Sequence, residues 1–342
     1  MNITDIKPYL LHQFRSESEL VKSINTLSDN FTKNREEIED YHNDEKLISA
    51  YAAFYLTTNY PKFSYCMDYL KEYEDIFKES EIIDIGVGPG TFVFSIGDYF
   101  NWEVGTIYGI ETSHLMKKQA VKIKEGLYSD RDIELVSKSS LIPKKTKQRI
   151  VIFTHSLNEM GNKAALKYIE DLDPDIILFI EPGTKPLFKE YLVLRDELIK
   201  DGFDCHYPCP SNDTCPMHDK DDWCHQYIKV KHELEVSRLT QLAHKNRKWM
   251  PLTLGLYLND KIKFDKKSFA RIIRTYPDTK YGFKWDLCNQ KNELITVEVL
   301  KRDYTKKENK LIADFLAGRE ISFTVTKKLD AYWRIKIEGE IE

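Results

Sequence analysis

Four of the six cysteines in this chain fall between Cys205 and Cys224, in CHYPCPSNDTCPMHDKDDWCH, and a fifth, Cys288, follows 64 residues later. A free cysteine is normally a small buried hydrophobe. Four of them set among Pro, Asp, Asn and His do not make a core pattern. Soft thiolates at close spacing point to a bound metal, and binding one lets a loop-like segment fold. Cys66, by contrast, lies in a helical apolar repeat and reads as a packed core thiol.

A second constellation is the turn Asp84-Ile85-Gly86-Val87-Gly88-Pro89-Gly90. Its glycines allow a sharp turn and close backbone approach to a ligand. The spacing is not the G-x-G-x-x-G of dinucleotide folds, and Pro89 removes an amide that a pyrophosphate would use. Both features favour S-adenosylmethionine, whose methionine part needs a tight turn but no phosphate cradle. Glu111 ends the next strand, where a carboxylate can accept both ribose hydroxyls. Further on, Thr154-His155-Ser156-Leu157-Asn158-Glu159 leaves a strand as a polar cluster, the place where parallel sheets bind ligands. His155 is a candidate general base or a structural crevice residue. Asn158 and Glu159 are the other catalytic candidates. The expected cofactor contacts are Asp84, Gly86, Gly88, Gly90, Glu111, Ser156 and Leu157. The chain lacks the Asn/Asp-Pro-Pro-aromatic loop that gathers an exocyclic amine for methylation.

The elements that position these residues are read from apolar rhythm. Residues 1–78 space their apolar residues by three and four and predict helices. Residues 79–202 alternate short apolar strands (EIIDI, TIYGI, IELVS, RIVIFT, DIILFIE) with helical stretches, as in a parallel sheet with covered faces. Residues 203–305 hold the cysteine segment and several strands, and 306–342 a β extension. The stretch 230–267 has no clear period. The fold class is therefore α/β, a Rossmann-like sheet with an N-terminal helical extension, a cysteine-rich insertion and a small C-terminal β-rich element.

The 342 residues, 42% of them hydrophobic, suffice for a large core, and the formal charge of −4 gives no overall attraction to polyanions. Any nucleic-acid contact must use a local basic face. Arg271 and Arg274 are candidates, as are Lys144, Lys145, Lys147, Arg149, Lys301 and Arg302. No apolar run reaches the ~20 residues of a membrane span, and the N-terminus lacks an apolar signal region. A cytoplasmic monomer is expected, where clustered cysteines ligate metal rather than pair as disulfides.

In order along the chain, AYAAFYLTTNYPKF, IIDIGVGPGT, THSLNEM, IEPGT, PCPSNDTCPMHDKDDWCH and SFARIIRTYP followed by DLC resemble the methyltransferase-like assembly proteins of the mitochondrial small ribosomal subunit and their bacterial relatives. The resemblance implies a class I methyltransferase-like fold, S-adenosylmethionine, and a role on small-subunit ribosomal RNA. It also implies a [4Fe-4S] cluster on Cys209, Cys215, Cys224 and Cys288, leaving Cys205 out. Pro210 and Pro216 follow the first two, as proline follows cysteine in ferredoxin runs. Zinc is the alternative, completed if needed by His206, His218 or His225, although gaps of six, nine and 64 residues suit its short knuckles poorly. Two functions are open: a ribosomal RNA methyltransferase, or a non-catalytic assembly factor that keeps the fold and a structural cluster.

Overall fold

The computed structural model describes residues 1–32, 41–266, 268–339 and 341. Residues 33–40 of the expected helical region, and 340 and 342 of the expected C-terminal extension, lie outside that description. The chain divides into two compact units. One is Met1–Met160 with Ala164–Pro174 and Ile228–Met250, and the other is Gly161–Lys163 with Asp175–Tyr227 and Pro251–Glu342. Unlike the four consecutive segments read from the sequence, both units are discontinuous in the chain.

The first unit contains parallel strands β1 (Glu81–Ile85), β2 (Ile107–Ile110), β3 (Ile133–Val136) and β4 (Arg149–Thr154), in the spatial order β3-β2-β1-β4. Every residue of β1, β2 and β4 is buried. That is why these strands are unbroken apolar runs rather than alternating ones: both faces of the sheet are covered. The helix Thr91–Tyr99 follows β1 after Gly90, whose φ of 98° only glycine adopts without strain. The helix His114–Leu127 follows β2, with the Ser113 hydroxyl accepting from the Met116 amide as its N-cap.

The N-terminal part is helical as expected, with one refinement. Within that region a helix starts at Glu45, where the Asp44 carboxylate caps the Lys46 and Leu47 amides. It then widens into a π-helical turn at Ala52–Leu56 and ends at Asn59. Such turns rotate the side chains beyond them and recur at functional sites.

In the second unit, β5 (Ile176–Pro182) and β6 (Phe203–Tyr207) enter an antiparallel sheet. The strand β7 (Gln226–Lys229) carries the chain back to the first unit. β8 (Trp249–Asn259) then runs antiparallel to both β5 and β6. The stretch without clear period thus contains the helix Leu234–Leu242 and the long strand β8. Helix there is short, and β8 is buried along most of its length, so neither period stands out.

The rest of the unit is a ring of strands: β9 (Ala270–Thr275), β10 (Gly282–Cys288), β11 (Leu294–Leu300), β12 (Glu320–Ile321), β13 (Phe323–Lys328) and β14 (Trp333–Ile337). β12 and β13 are one segment bent at Ser322. β12 pairs with β9 and β13 with β14, which closes the ring. Ile272, Phe283, Trp285, Leu287, Val297, Val299 and Ile335 fill it, and Ile312 and Phe315 from the end of helix Lys306–Ala313 pack on the same core. No helix among the described residues is long and apolar enough to cross a membrane.

Candidate functional site

The carboxyl ends of β1, β2 and β4 open on a cavity of about 590 Å³ in the first unit. Its walls include Gly86, Gly88, Pro89, Glu111, Thr154, Ser156, Asn158 and Glu159, joined by Tyr41, Tyr51 and Asn59 from the N-terminal helices. Both Glu111 oxygens are anchored: Oε2 accepts from the Gly88 amide at 2.8 Å and Oε1 from the Ser113 amide at 2.7 Å. Each oxygen has a second lone pair, so the carboxylate is oriented while still able to accept a diol. Gly88 has φ 55° and nothing within 4 Å of where a Cβ would stand, so its backbone faces open space. At Gly86 a Cβ would lie 2.7 Å from the Ser156 Cβ, and the turn needs glycine there for room.

Other expected cofactor contacts stand behind the walls rather than in them. Asp84 is fully buried and accepts from the Thr154 hydroxyl at 2.8 Å, tying the ends of β1 and β4 together. Leu157 is fully buried. Gly90 makes room for the Phe94 ring, 2.2 Å from its would-be Cβ.

His155 has a strained φ of 56° and its Nε2 lies 2.7 Å from the Lys62 ammonium. An ammonium only donates, so this nitrogen is the acceptor and the ring is neutral. Burial and then the Lys62 charge push its pKa well below the usual value. Of the two roles expected for His155, the geometry favours the structural one, since its lone pair is taken by Lys62. Glu159 differs. Desolvation inside the cavity, then the Glu111 carboxylate, raise it to about 7. Tyr41 and Tyr51 stack face to face on one wall, with centroids 6.2 Å apart and planes 7° apart. Arg247 stands behind them, with its guanidinium over the Tyr55 ring at 5.5 Å and Nη2 donating to Asn59 at 2.9 Å.

The second unit holds the cysteines. Cys209, Cys215, Cys224 and Cys288 line a single cavity of about 30 Å³, together with Arg195, Arg271, Pro210 and Pro216. Cys205 is outside that lining, its thiol directed to the Tyr207 carbonyl. Among the described residues, no three or more His, Cys, Asp or Glu side chains form a group that could hold a metal ion as they stand. Two guanidiniums donate to sulfur: Arg195 Nε to Cys209 at 3.2 Å and Arg271 Nε to Cys224 at 3.3 Å. The Cys205 thiol, then the Arg195 charge, hold the Cys209 pKa down, whereas burial pushes Cys215 up to about 12.

Cations also shape the loop around these sulfurs. Arg195 Nη2 donates to the Ser211 and Asp213 carbonyls, and Lys189 to those of Met217, His218 and Lys220. Lys266 binds the carbonyls of Cys205 and Cys209, both at 2.6 Å. His218 Nε2 lies 2.6 Å from an Asp196 carboxylate oxygen and His225 stacks on Trp223, so each has a role in the loop.

Arg271 is only 2% exposed and donates to Tyr207, Gln226 and the Gly318 carbonyl. Its burial argues against the expected RNA contact: it lies opposite Cys288, on the side of β9 away from the barrel core, and serves the cysteine cavity. Arg274 is on the surface, paired with Asp222. Sequence reasoning missed Arg195, Lys189, Lys266, Lys62 and the tyrosine wall. Each is brought in from a distant segment, and no local spacing marks it.

A family model described as mitochondrial small ribosomal subunit Rsm22 matches residues 45–315. No curated protein matches. Solved structures that resemble the chain include magnesium protoporphyrin IX methyltransferase (ChlM) from Synechocystis PCC 6803 with bound SAM. It is 10% identical, with 69% of this chain and 95% of that one covered and a TM-score of 0.38. Another is M. capricolum TrmK in complex with S-adenosylhomocysteine, 11% identical, covering 53% and 62%, with a TM-score of 0.31.

Proposed function

We propose, from the premise that this chain belongs to the Rsm22 family, that it is an S-adenosylmethionine-binding protein of the class I methyltransferase fold that acts on small-subunit ribosomal RNA. The observation that carries the reading is Glu111, held by the Gly88 and Ser113 amides at the mouth of the glycine turn. In this reading Glu111 takes the ribose hydroxyls and the Gly86–Gly88 backbone admits the methionine part. The cofactor would supply an electrophilic methyl group. The residues of the cavity orient it and exclude water, and Glu159 is the proton acceptor whose pKa suits neutral pH. Calorimetry with S-adenosylmethionine tests this: the wild-type chain gives a binding isotherm and Glu111→Ala gives none. An absence of heat with the wild-type chain sinks the cofactor reading.

A second reading is supported by His155, whose acceptor nitrogen is committed to Lys62. It is a non-catalytic assembly factor that keeps the fold and cofactor cavity. Mapping methylated nucleotides of small-subunit RNA with and without this chain separates the two. A mark that is lost without the chain, and restored by wild type but not by Glu111→Ala, rules the second reading out.

Under either reading, Cys209, Cys215, Cys224 and Cys288 would hold an iron–sulfur cluster. What supports this is donor chemistry: four soft sulfurs line one cavity, and two guanidinium N–H groups point at two of them, as outer donors do around thiolate-bound iron. The cluster would supply a cross-link between the cysteine segment and β10. Iron, sulfide and zinc analysis of anaerobically prepared protein decides its nature, and zinc without sulfide would assign the cavity to the other metal.

A further inference from the structure

The ring of strands in the second unit has a particular connectivity. β9, β10 and β11 form an antiparallel meander, and the helix Lys306–Ala313 follows. The bent segment β12–β13 then pairs with β9 at one end and with β14 at the other, and β14 lies parallel to β11. Counting the bent segment as one, the order is first-second-third-fifth-fourth-first, with third and fifth parallel and a helix between third and fourth. This is the connectivity of the five-stranded OB barrel, which binds oligomers on its second and third strands and on the loops joining strands 1–2 and 4–5.

Fold alone does not assign a ligand, but the residues at those places do. Loop 1–2 here is 276–281 and carries Tyr276, Lys280 and Tyr281, the last 72% exposed, more than any other large apolar side chain of the barrel. Loop 4–5 is 329–332 and ends in Tyr332. Lys284, on the outer face of β10, lies over both Tyr276 (5.6 Å) and Tyr332 (5.8 Å), so it gathers the two loops onto one platform. Lys328 lies over Trp333 at 4.2 Å beside it. Three carboxylates of this face are engaged: Asp286 accepts from Tyr276 and Thr296, Glu298 from Arg334, and Asp278 from Lys301, while Asp330 in loop 4–5 is exposed. Exposed aromatic rings interleaved with lysines are what unpaired bases and their phosphates require.

We infer that this barrel face binds single-stranded RNA, with Tyr281, Tyr276 and Tyr332 stacking on bases and Lys280 and Lys284 meeting phosphates. The inference rests on the reading of the chain as a protein of small-subunit RNA, and deepens it by naming the surface and the strandedness. The test is fluorescence anisotropy of the full chain with a labelled oligouridine of about a dozen nucleotides, within the OB site range. The single strand binds more tightly than a duplex of equal length. Tyr281→Ala weakens it by roughly 5- to 150-fold, the loss of one stacked base. Lys284→Ala makes the slope of log affinity against log salt shallower by about 0.7. Unchanged affinity in Tyr281→Ala and in Tyr332→Ala, with unchanged thermal unfolding, overturns the inference, as does a preference for duplex. Cofactor calorimetry on the same preparations keeps the two claims apart. Oligonucleotide binding without cofactor heat sinks only the cofactor reading, and cofactor heat without oligonucleotide binding sinks only this one.

Discussion

Glu159 and His155 stand four residues apart on the exit of β4, yet their surroundings drive them in opposite directions. His155 is kept neutral by burial and Lys62, and Glu159 is raised to about 7 by desolvation and Glu111. A carboxyl raised in the folded state keeps its proton there while the unfolded chain, near its ordinary value, has lost it. This group therefore disfavours folding progressively as pH climbs from about 4.5 to about 7, and the penalty is constant above that. Glu159→Gln removes the penalty. Its melting temperature should match wild type near the lower limit and exceed it near pH 8. A difference that does not grow with pH would show that Glu159 has an ordinary pKa. At the turn, Gly88→Arg strains a backbone with φ 55° but meets no atom at its Cβ, so it should lower the melting temperature modestly while its long side chain enters the cavity and abolishes the proposed cofactor binding in calorimetry.

At the scale of elements, the helix Lys185–Lys200 organises the cysteine loop. Its Lys189 and Arg195 satisfy five loop carbonyls, and Arg195 is 1% exposed. Replacing Arg195 by Met removes a donor that the Ser211 and Asp213 carbonyls share with Asn292, at about 1 kcal/mol for each lost hydrogen bond. Arg195→Met should lower the denaturant midpoint and open the 205–225 amides to hydrogen exchange. Protection equal to wild type would show that the loop is held by other means. The same loop sets a contrast among cysteines. If the cavity holds the proposed metal, Cys288→Ser should release it and unsettle β10. Cys205→Ser, outside the cavity lining, should keep the metal. Metal analysis of both variants gives the answer, and the reverse pattern would place Cys205 in the ligand set.

For the whole molecule, two compact units divide the chemistry. Among the described residues, the cavity at the glycine turn is lined by the first, and the cysteine cavity and the barrel belong to the second. The barrel has its own core around Trp285, which is 2% exposed and stacks on Phe315. Trp285→Ala should cost about 3–5 kcal/mol through the cavity it leaves, seen as an early transition in thermal unfolding. The cavity at the glycine turn, built from other residues, should still give the calorimetric signal expected of the proposed cofactor. Loss of both together would show that the units fold as one.

How much of this could be read from residues alone depends on the range of the interaction. The glycine turn and the strands on either side of it are local. Gly90 must adopt a positive φ, and doubly covered strands must be apolar runs, so positions 81–111 announce themselves. The clustering of cysteines is local too, and with it the suggestion of a metal. Arg271 marks the limit. Its spacing from Arg274 looks like a basic surface, and the bulge opposite Asp286 and Leu287 does put both on one face of β9, but Arg271 is covered by the cysteine loop while Arg274 stays at the surface. Which cysteines share a cavity, which cations meet their sulfurs, and how β12–β13 bends to close a barrel against β9 are pairings between segments tens of residues apart. Sequence determined the turn, the sheet rhythm and the stock of thiols. Only the tertiary structure decided which side chains face one another, because burial and contact are properties of the packed chain and not of any stretch of it.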